Sequence, residues 1–260
     1  VSNEHQEKDQ VVEGHTLKNT DNNRMNITRE INFLKAVAAN NDRQWMQEHK
    51  DEFTACRKDF EQTVTDIITE FTKFDPEIGN LQAKDCCYRF YRDIRFSPDK
   101  SPYKRHFGAY ICSDGKKSLR GGYYIHIQPG HCLIGFGCYW LPTNILTATR
   151  NEIMGNISDW RKIVESKKFV DMFGRPNTGH WDDDSVSPKG FGLTALKTCP
   201  KGFPKDYEFI DYLKMKDYCC WVALDEDFFK QPDFIQRLAG IAKTAKPMMD
   251  FINNVVDDYI

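Results

Sequence analysis

Apolar side chains recur along this chain with two periods, and the places where the period changes separate helical from extended regions. Ile27, Ile31, Leu34 and Val37 fall three or four residues apart within MNITREINFLKAVAANN, which predicts an amphipathic helix. Trp45, His49, Phe53, Cys56, Phe60, Val64, Ile67 and Phe71 continue that spacing, so one longer helix is expected. Asn41 with Gln44 resembles a capping box at its start, and Phe74-Asp75-Pro76 should end it.

Beyond Pro76 the period drops to two. In YRFYRDIRF, Phe90, Arg92, Ile94 and Phe96 alternate with Arg89, Tyr91, Asp93 and Arg95, the pattern of a strand. The following SPDKSPYK is a turn, stiffened by Pro98 and Pro102. HFGAYIC, GGYYIHIQ and HCLIGFGCYW read as three further strands joined by SDGKKSLR and by Pro129-Gly130, hence an antiparallel meander. Pro142 opens a helix through Ile145, Leu146, Ile153 and Ile157, and Ser158 is a cap for a short helix ending near Phe173. A polar loop, GRPNTGHWDDDSVSPKGFG, follows, and residues 191–229 show no clear period. Phe234, Leu238, Ile241, Ala245, Met248, Ile252 and Val255 mark a last helix that Pro247 should bend.

Helices flanking a central antiparallel sheet give an α+β fold, and residues 25–260 are expected to form a single domain. Residues 1–24 are charged and amide-rich with little to bury, which predicts a disordered extension. With 260 residues, 40% of them hydrophobic, the chain can bury a substantial core. Its 36 basic and 38 acidic residues leave a formal charge of -2, so wholesale attraction to nucleic acid or a membrane surface is not implied. Nine cysteines without a CxxC pair point to reduced thiols, and no apolar run approaches the roughly 20 residues a bilayer span needs. A cytoplasmic protein with no membrane partner is the expectation.

Against that neutral background, RFYRDIRFSPDKSPYKRHFG concentrates Arg89, Arg92, Arg95, Lys100, Lys104 and Arg105 beside only Asp93 and Asp99. Together with GGYYIHIQPG, GFGCYWLP, LKTCPKGF and the earlier FLKAVAANNDRQWMQEHKDEF, this segment resembles an uncharacterised family of bacterial and fungal proteins called domain of unknown function 2461. The likeness runs from about Met25 to the end of the chain. It implies a single α+β domain; it implies no activity, cofactor or catalytic residue.

The basic segment has three readings. Guanidinium and ammonium groups on a stiff turn suit a phosphate or carboxylate ligand. Alternatively, Arg92 pairs internally with Asp93, Asp99 or the acidic residues Asp182–Asp184, or the whole segment is a solvated surface. On a strand, Arg89, Asp93 and Arg95 would share a face, with Arg92 on the other. His126, between Ile125 and Ile127, is the one candidate for proton transfer, and a hydrogen-bonded structural histidine is its commoner counterpart. Lys197 and Lys201 sit on a second Pro-Gly turn that could form an opposite rim, with Arg150 as a further contributor. Gly135-Phe136-Gly137 lacks the strand-turn-helix context of a dinucleotide site and reads as a bulge or close backbone packing. No metal site is expected, since HxH, HExxH and calcium-loop spacings are all missing.

The functional expectation is a basic cleft of Arg89, Arg92, Arg95, Lys100, Tyr103, Lys104 and His126 that receives an anionic small molecule. Tyr103 and Tyr124 would stack on a ring, which makes a nucleotide the first ligand class to test. The alternative is a non-enzymatic module docking an acidic protein or, less favoured, a nucleic-acid backbone through the same surface.

Overall fold

The computed structural model describes residues 26–177 and 187–260; the expected extension 1–24 and the acidic stretch 182–184 lie outside them. Helix α1 (Ile27–Ala39) starts at Asn26, whose side chain accepts from the Arg29 amide. The single helix expected from Trp45 onward is instead two, α2 (Arg43–Glu48) and α3 (Lys50–Phe71). The break falls at His49, whose ring stacks on Trp45 at 3.9 Å and whose Nδ1 lies 2.8 Å from the Trp45 carbonyl. Asp42, not Asn41, caps α2; the Asn41 amide exchanges two hydrogen bonds with the Tyr103 backbone. After the one-turn helix α4 (Ala83–Cys86) comes the meander β1 (Phe107–Ile111), β2 (Gly122–Ile127) and β3 (Cys132–Cys138).

Helix α5 (Thr143–Gly155) begins behind Pro142, as its fixed φ favours. The short helix expected from Ser158 is split into α6 (Ile157–Val164) and α7 (Lys167–Phe173), with Ser166 capping the second. The end of the stretch read as a polar loop supplies β4 (Lys189–Phe191), and the unassigned region supplies α8 (Ile210–Lys214) and β5 (Tyr218–Leu224). Helix α9 (Phe234–Val256) runs unbroken through Pro247. The strands form one antiparallel sheet in the order β1-β2-β3-β5-β4, giving a single α+β domain.

Residues 88–96 do not form the expected strand. Residues 87–92 lie beside β1 and the residues leading into it, tied by Tyr88 N to Gly108 O, Lys104 N to Phe90 O and Arg92 N to Pro102 O, with isolated bridges at Cys87–Ala109 and Tyr91–Tyr103. Pro102 has no amide to donate, and the chain turns away at Pro98, so a regular ladder cannot build up. This segment therefore borders β1, which separates it from β2.

Core packing lies on one side of the sheet, where α3 and α9 cover it. The register row Ile111, Tyr123, Phe136, Cys220, Phe191 faces these helices and is buried throughout. Gly137 on β3 has φ +95°, and a Cβ there would stand 2.0 Å from the Tyr218 carbonyl, so of the Gly-Phe-Gly run Gly137 is set by close backbone packing. Between α1 and α3 the core encloses a carboxyl group: Glu30 is fully buried, 3.6 Å from the Arg29 guanidinium, and neither of its oxygens finds a hydrogen-bond partner among the described residues. Burial raises its pKa from 4.5 to about 7.

That carboxyl sets a pH dependence. The folded chain holds the Glu30 proton up to about pH 7 while the unfolded chain releases it near 4.5, so stability is lost as pH rises through that window. Glu30→Gln should match wild type near pH 4.5 and exceed it by about 2 to 3 kcal/mol at pH 8, read by urea unfolding at both values. Equal stability of the two proteins at pH 8 would contradict this.

Candidate functional site

The sheet face opposite α3 and α9 is built differently. Its register row is Tyr110, Tyr124, Gly135, Trp221, Gly190, next to the core row along every strand. Each ring lies low over a glycine. A Cβ on Gly122 would stand 3.0 Å from Tyr110 Cζ, one on Gly108 3.3 Å from the Tyr124 hydroxyl, and one on Gly190 2.1 Å from the Trp221 ring. Polar tips hold the rings there: the Tyr110 hydroxyl reaches the carbonyls of Arg120 (2.8 Å) and Gly137 (3.2 Å), and Trp221 Nε1 donates to Ser187 O at 3.4 Å. The consequence is a flat floor in place of a second core.

Over this floor opens a cleft of about 740 Å³, within the range of small-molecule sites. Lys104 and His106, at the start of β1, line one end. The β1–β2 connection, with Lys116, Lys117 and Arg120, lines the other, beside Tyr139 and Trp140 at the end of β3. Trp140 is 66% exposed at this rim. Among the described lining residues there is no Asp or Glu.

The four cations are not equivalent. Arg120 is neutralised, bonding Asp257 at 2.8 and 2.9 Å and also Glu77. Lys116 reaches the Asp85 carbonyl at 2.9 Å, and Lys117 is exposed. Lys104 is half-buried with its ammonium 5.1 Å from the Tyr88 ring centroid, and no described carboxylate pairs with it. Burial, and then the fields of Arg89 and Arg57, lower its pKa. A charge so placed gains from any anion that enters.

Behind Lys104 sit two histidines with ring centroids 4.3 Å apart. Burial above all lowers His106 to about 3 and His126 to about 4, so both are neutral at pH 7. His126 Nε2 lies 3.2 Å from Gln128 Oε1, which can only accept; the hydrogen therefore sits on Nε2, and Nδ1 accepts from the Tyr124 hydroxyl at 2.8 Å. His106 lines the cleft, whereas His126 stands behind Tyr124, orienting it.

The residues singled out in the basic segment are thus divided by the fold. Lys104 enters the cleft, and Arg89 acts on it through its field while remaining exposed. Arg92 turns back onto its own loop, to Asp99 Oδ2 and Ser101 Oγ at 2.5 Å each and Ser97 Oγ at 3.2 Å. Hydrogen bonds from Ser101, then Arg92, lower Asp99 to about 2. Arg95 forms a fork with Asp93 at 2.9 and 2.6 Å, and Lys100 donates to the Ile94 carbonyl at 3.0 Å. Tyr103 is buried in the core against Phe90 and cannot reach a cleft ligand. Lys197 and Lys201 are exposed and line no part of the cleft, and Arg150 is buried in α5, donating to Met215 O at 2.9 Å. Sequence reasoning gave no site role to Tyr88, His106, Lys117, Trp140 or Trp221 and set Gly135 aside as a bulge or close packing, although the adjacent lysines of SDGKKSLR, placed between two expected strands, were an available signal. Among the described residues no group of His, Cys, Asp and Glu is placed to hold a metal, and no described helix is long and apolar enough to cross a membrane.

The two paired arginines should behave differently. Arg95 and Asp93 are 76% and 43% exposed, so Arg95→Gln should leave the melting temperature unchanged. Arg92, 26% exposed and bonded to several loop groups, braces the turn, and Arg92→Ala should cost about 1 kcal/mol. Thermal unfolding of both variants checks the pair; an equal loss in each would refute the distinction.

No curated protein and no solved structure matches the chain. A family model described as "Conserved hypothetical protein (DUF2461)" matches residues 29–251, from α1 into α9, and so takes in the whole sheet and every residue of the cleft. On that match the chain belongs to the DUF2461 family.

Proposed function

We propose that the open sheet face binds a small molecule bearing phosphate or carboxylate, with Lys104 as the principal charge contact and Lys117 as a second. The observation that carries this reading is the charge pattern: Lys104, Lys116 and Lys117 line a cleft whose described lining contains no carboxylate, and Lys104 is half-buried with no ion-pair partner among the described residues. Burying an uncompensated ammonium costs free energy in the empty protein, and an anionic ligand returns it on binding. Nine unpaired thiols suit a reducing compartment such as the cytosol.

A docking module is the rival. It is favoured by Phe96, 94% exposed at the tip of the basic turn, with Tyr91 57% exposed nearby. This second surface lies outside the cleft, and its Arg92 and Arg95 are already paired. Binding there would show a steep salt dependence and would be indifferent to Lys104.

Thermal unfolding with rising phosphate, citrate or adenosine monophosphate tests the cleft. At least one of these should stabilise wild type, by about 2.7 kcal/mol when the ligand reaches a hundred times its Kd. Lys104→Met should be at least as stable as wild type without ligand and should weaken the response about tenfold or more. A wild type indifferent to all three anions, or a Lys104→Met variant that binds as well as wild type, would overturn the proposal.

A further inference from the structure

The glycines of the open face have an arrangement that anion binding alone does not require. Gly122, Gly108 and Gly190 are covered by the rings of Tyr110, Tyr124 and Trp221. Gly135, between Tyr124 and Trp221 in the register row, has no ring atom among the three atoms nearest to a Cβ built on it. The nearest atoms to a Cβ placed on it are Tyr124 Cβ at 3.7 Å, Cys220 O at 3.8 Å and Leu133 Cδ1 at 3.8 Å, ordinary contacts, and the residue lines the cleft. Its φ is not in the left-handed region, so the backbone does not demand glycine there. Glycine inside a strand with neither a turn nor a clash to explain it marks a place where something approaches the backbone closely.

Resting on the anion-site reading, we infer that the ligand carries a flat heteroaromatic ring that lies on the peptide groups at Gly135, beside Tyr124, with Trp140 at the rim available to stack on its outer face. Its chemical class is a nucleotide-like molecule: a planar base on the glycine floor and an anionic group drawn to Lys104 or Lys117. Charge complementarity supports this occupant, since the described lining offers cations and aromatic faces and no carboxylate. The strands beside β3 stand about 4.8 Å away on either side, so Tyr124 and Trp221 flank a gap roughly two strand spacings wide, enough for one ring and too narrow for a helix about 10 Å across.

Isothermal titration with adenosine monophosphate, ribose 5-phosphate, adenosine and inorganic phosphate tests the inference on wild type, Gly135→Ala and Gly135→Val. Wild type should bind adenosine monophosphate roughly tenfold or more tightly than ribose 5-phosphate, the contribution of one stacked base. Gly135→Val, which lifts methyl groups into the ring position, should remove that advantage and leave ribose 5-phosphate affinity within about threefold. Trp140→Ala should reduce it without altering phosphate binding. Gly135→Ala fits without clash, so its intermediate loss decides the matter if the valine variant does not fold. Equal binding of adenosine monophosphate and ribose 5-phosphate by wild type, or an unchanged preference in a folded Gly135→Val, overturns the ring inference and leaves the anion site standing. Binding of adenosine as tight as that of adenosine monophosphate, with no binding of the ring-free phosphates, overturns the anion site instead.

Discussion

A sheet packed by helices on one face only must still deal with its other face, and that constraint shapes this protein. Helices α3 and α9 bury the row through Tyr123 and Phe136. The opposite face keeps the same backbone but cannot form a second core, because no described helix lies across it. It is finished instead by aromatic side chains placed close over glycines, each anchored by a hydroxyl or indole N–H to a polar group: Tyr110 to backbone carbonyls, Tyr124 to His126, Trp221 to Ser187. This removes apolar surface from water without raising the floor. The cleft is what is left above it.

The same constraint explains why a charge-rich segment contributes so little to the site. The segment 88–104 runs along the edge of β1, so successive side chains diverge: Tyr88 and Lys104 turn over the open face, Phe90 and Tyr103 turn into the core, and Arg92 and Arg95 remain on the loop with Asp99 and Asp93. A short edge segment braced by internal ion pairs also leaves β1 less open to pairing with another chain. Of the three readings of the basic segment, internal bracing describes Arg92 and ligand contact suits Lys104.

Much of the fold was legible because its signals are local. Alternation in GYYIHI marked β2 and separated Tyr123 from Tyr124, and the three- to four-residue spacing in α1, α3 and α9 marked the helices. What failed depends on partners distant in sequence. The strand at 89–95 alternates correctly, but Pro102 opposite it withholds the amide that a ladder needs. β5 was obscured because Trp221 is buried over Gly190 although it belongs to the open face, which destroys the alternation. The cleft was half legible: Lys104 and Tyr124 were singled out, while Lys117, Gly135 and Trp140 acquire a role only once three strands stand side by side. No pattern along one strand shows that a glycine lies between two aromatic residues of the neighbouring strands.

The central claim is that the ligand site is the glycine-floored face and not the basic turn. A crystal structure of the protein grown with adenosine monophosphate locates the occupant directly. The account predicts a ring lying on the backbone at Gly135 and a phosphate within hydrogen-bond distance of Lys104 or Lys117. Nucleotide bound only at Arg89, Arg95 and Lys100 beside Phe96, with the sheet face unoccupied, would contradict it.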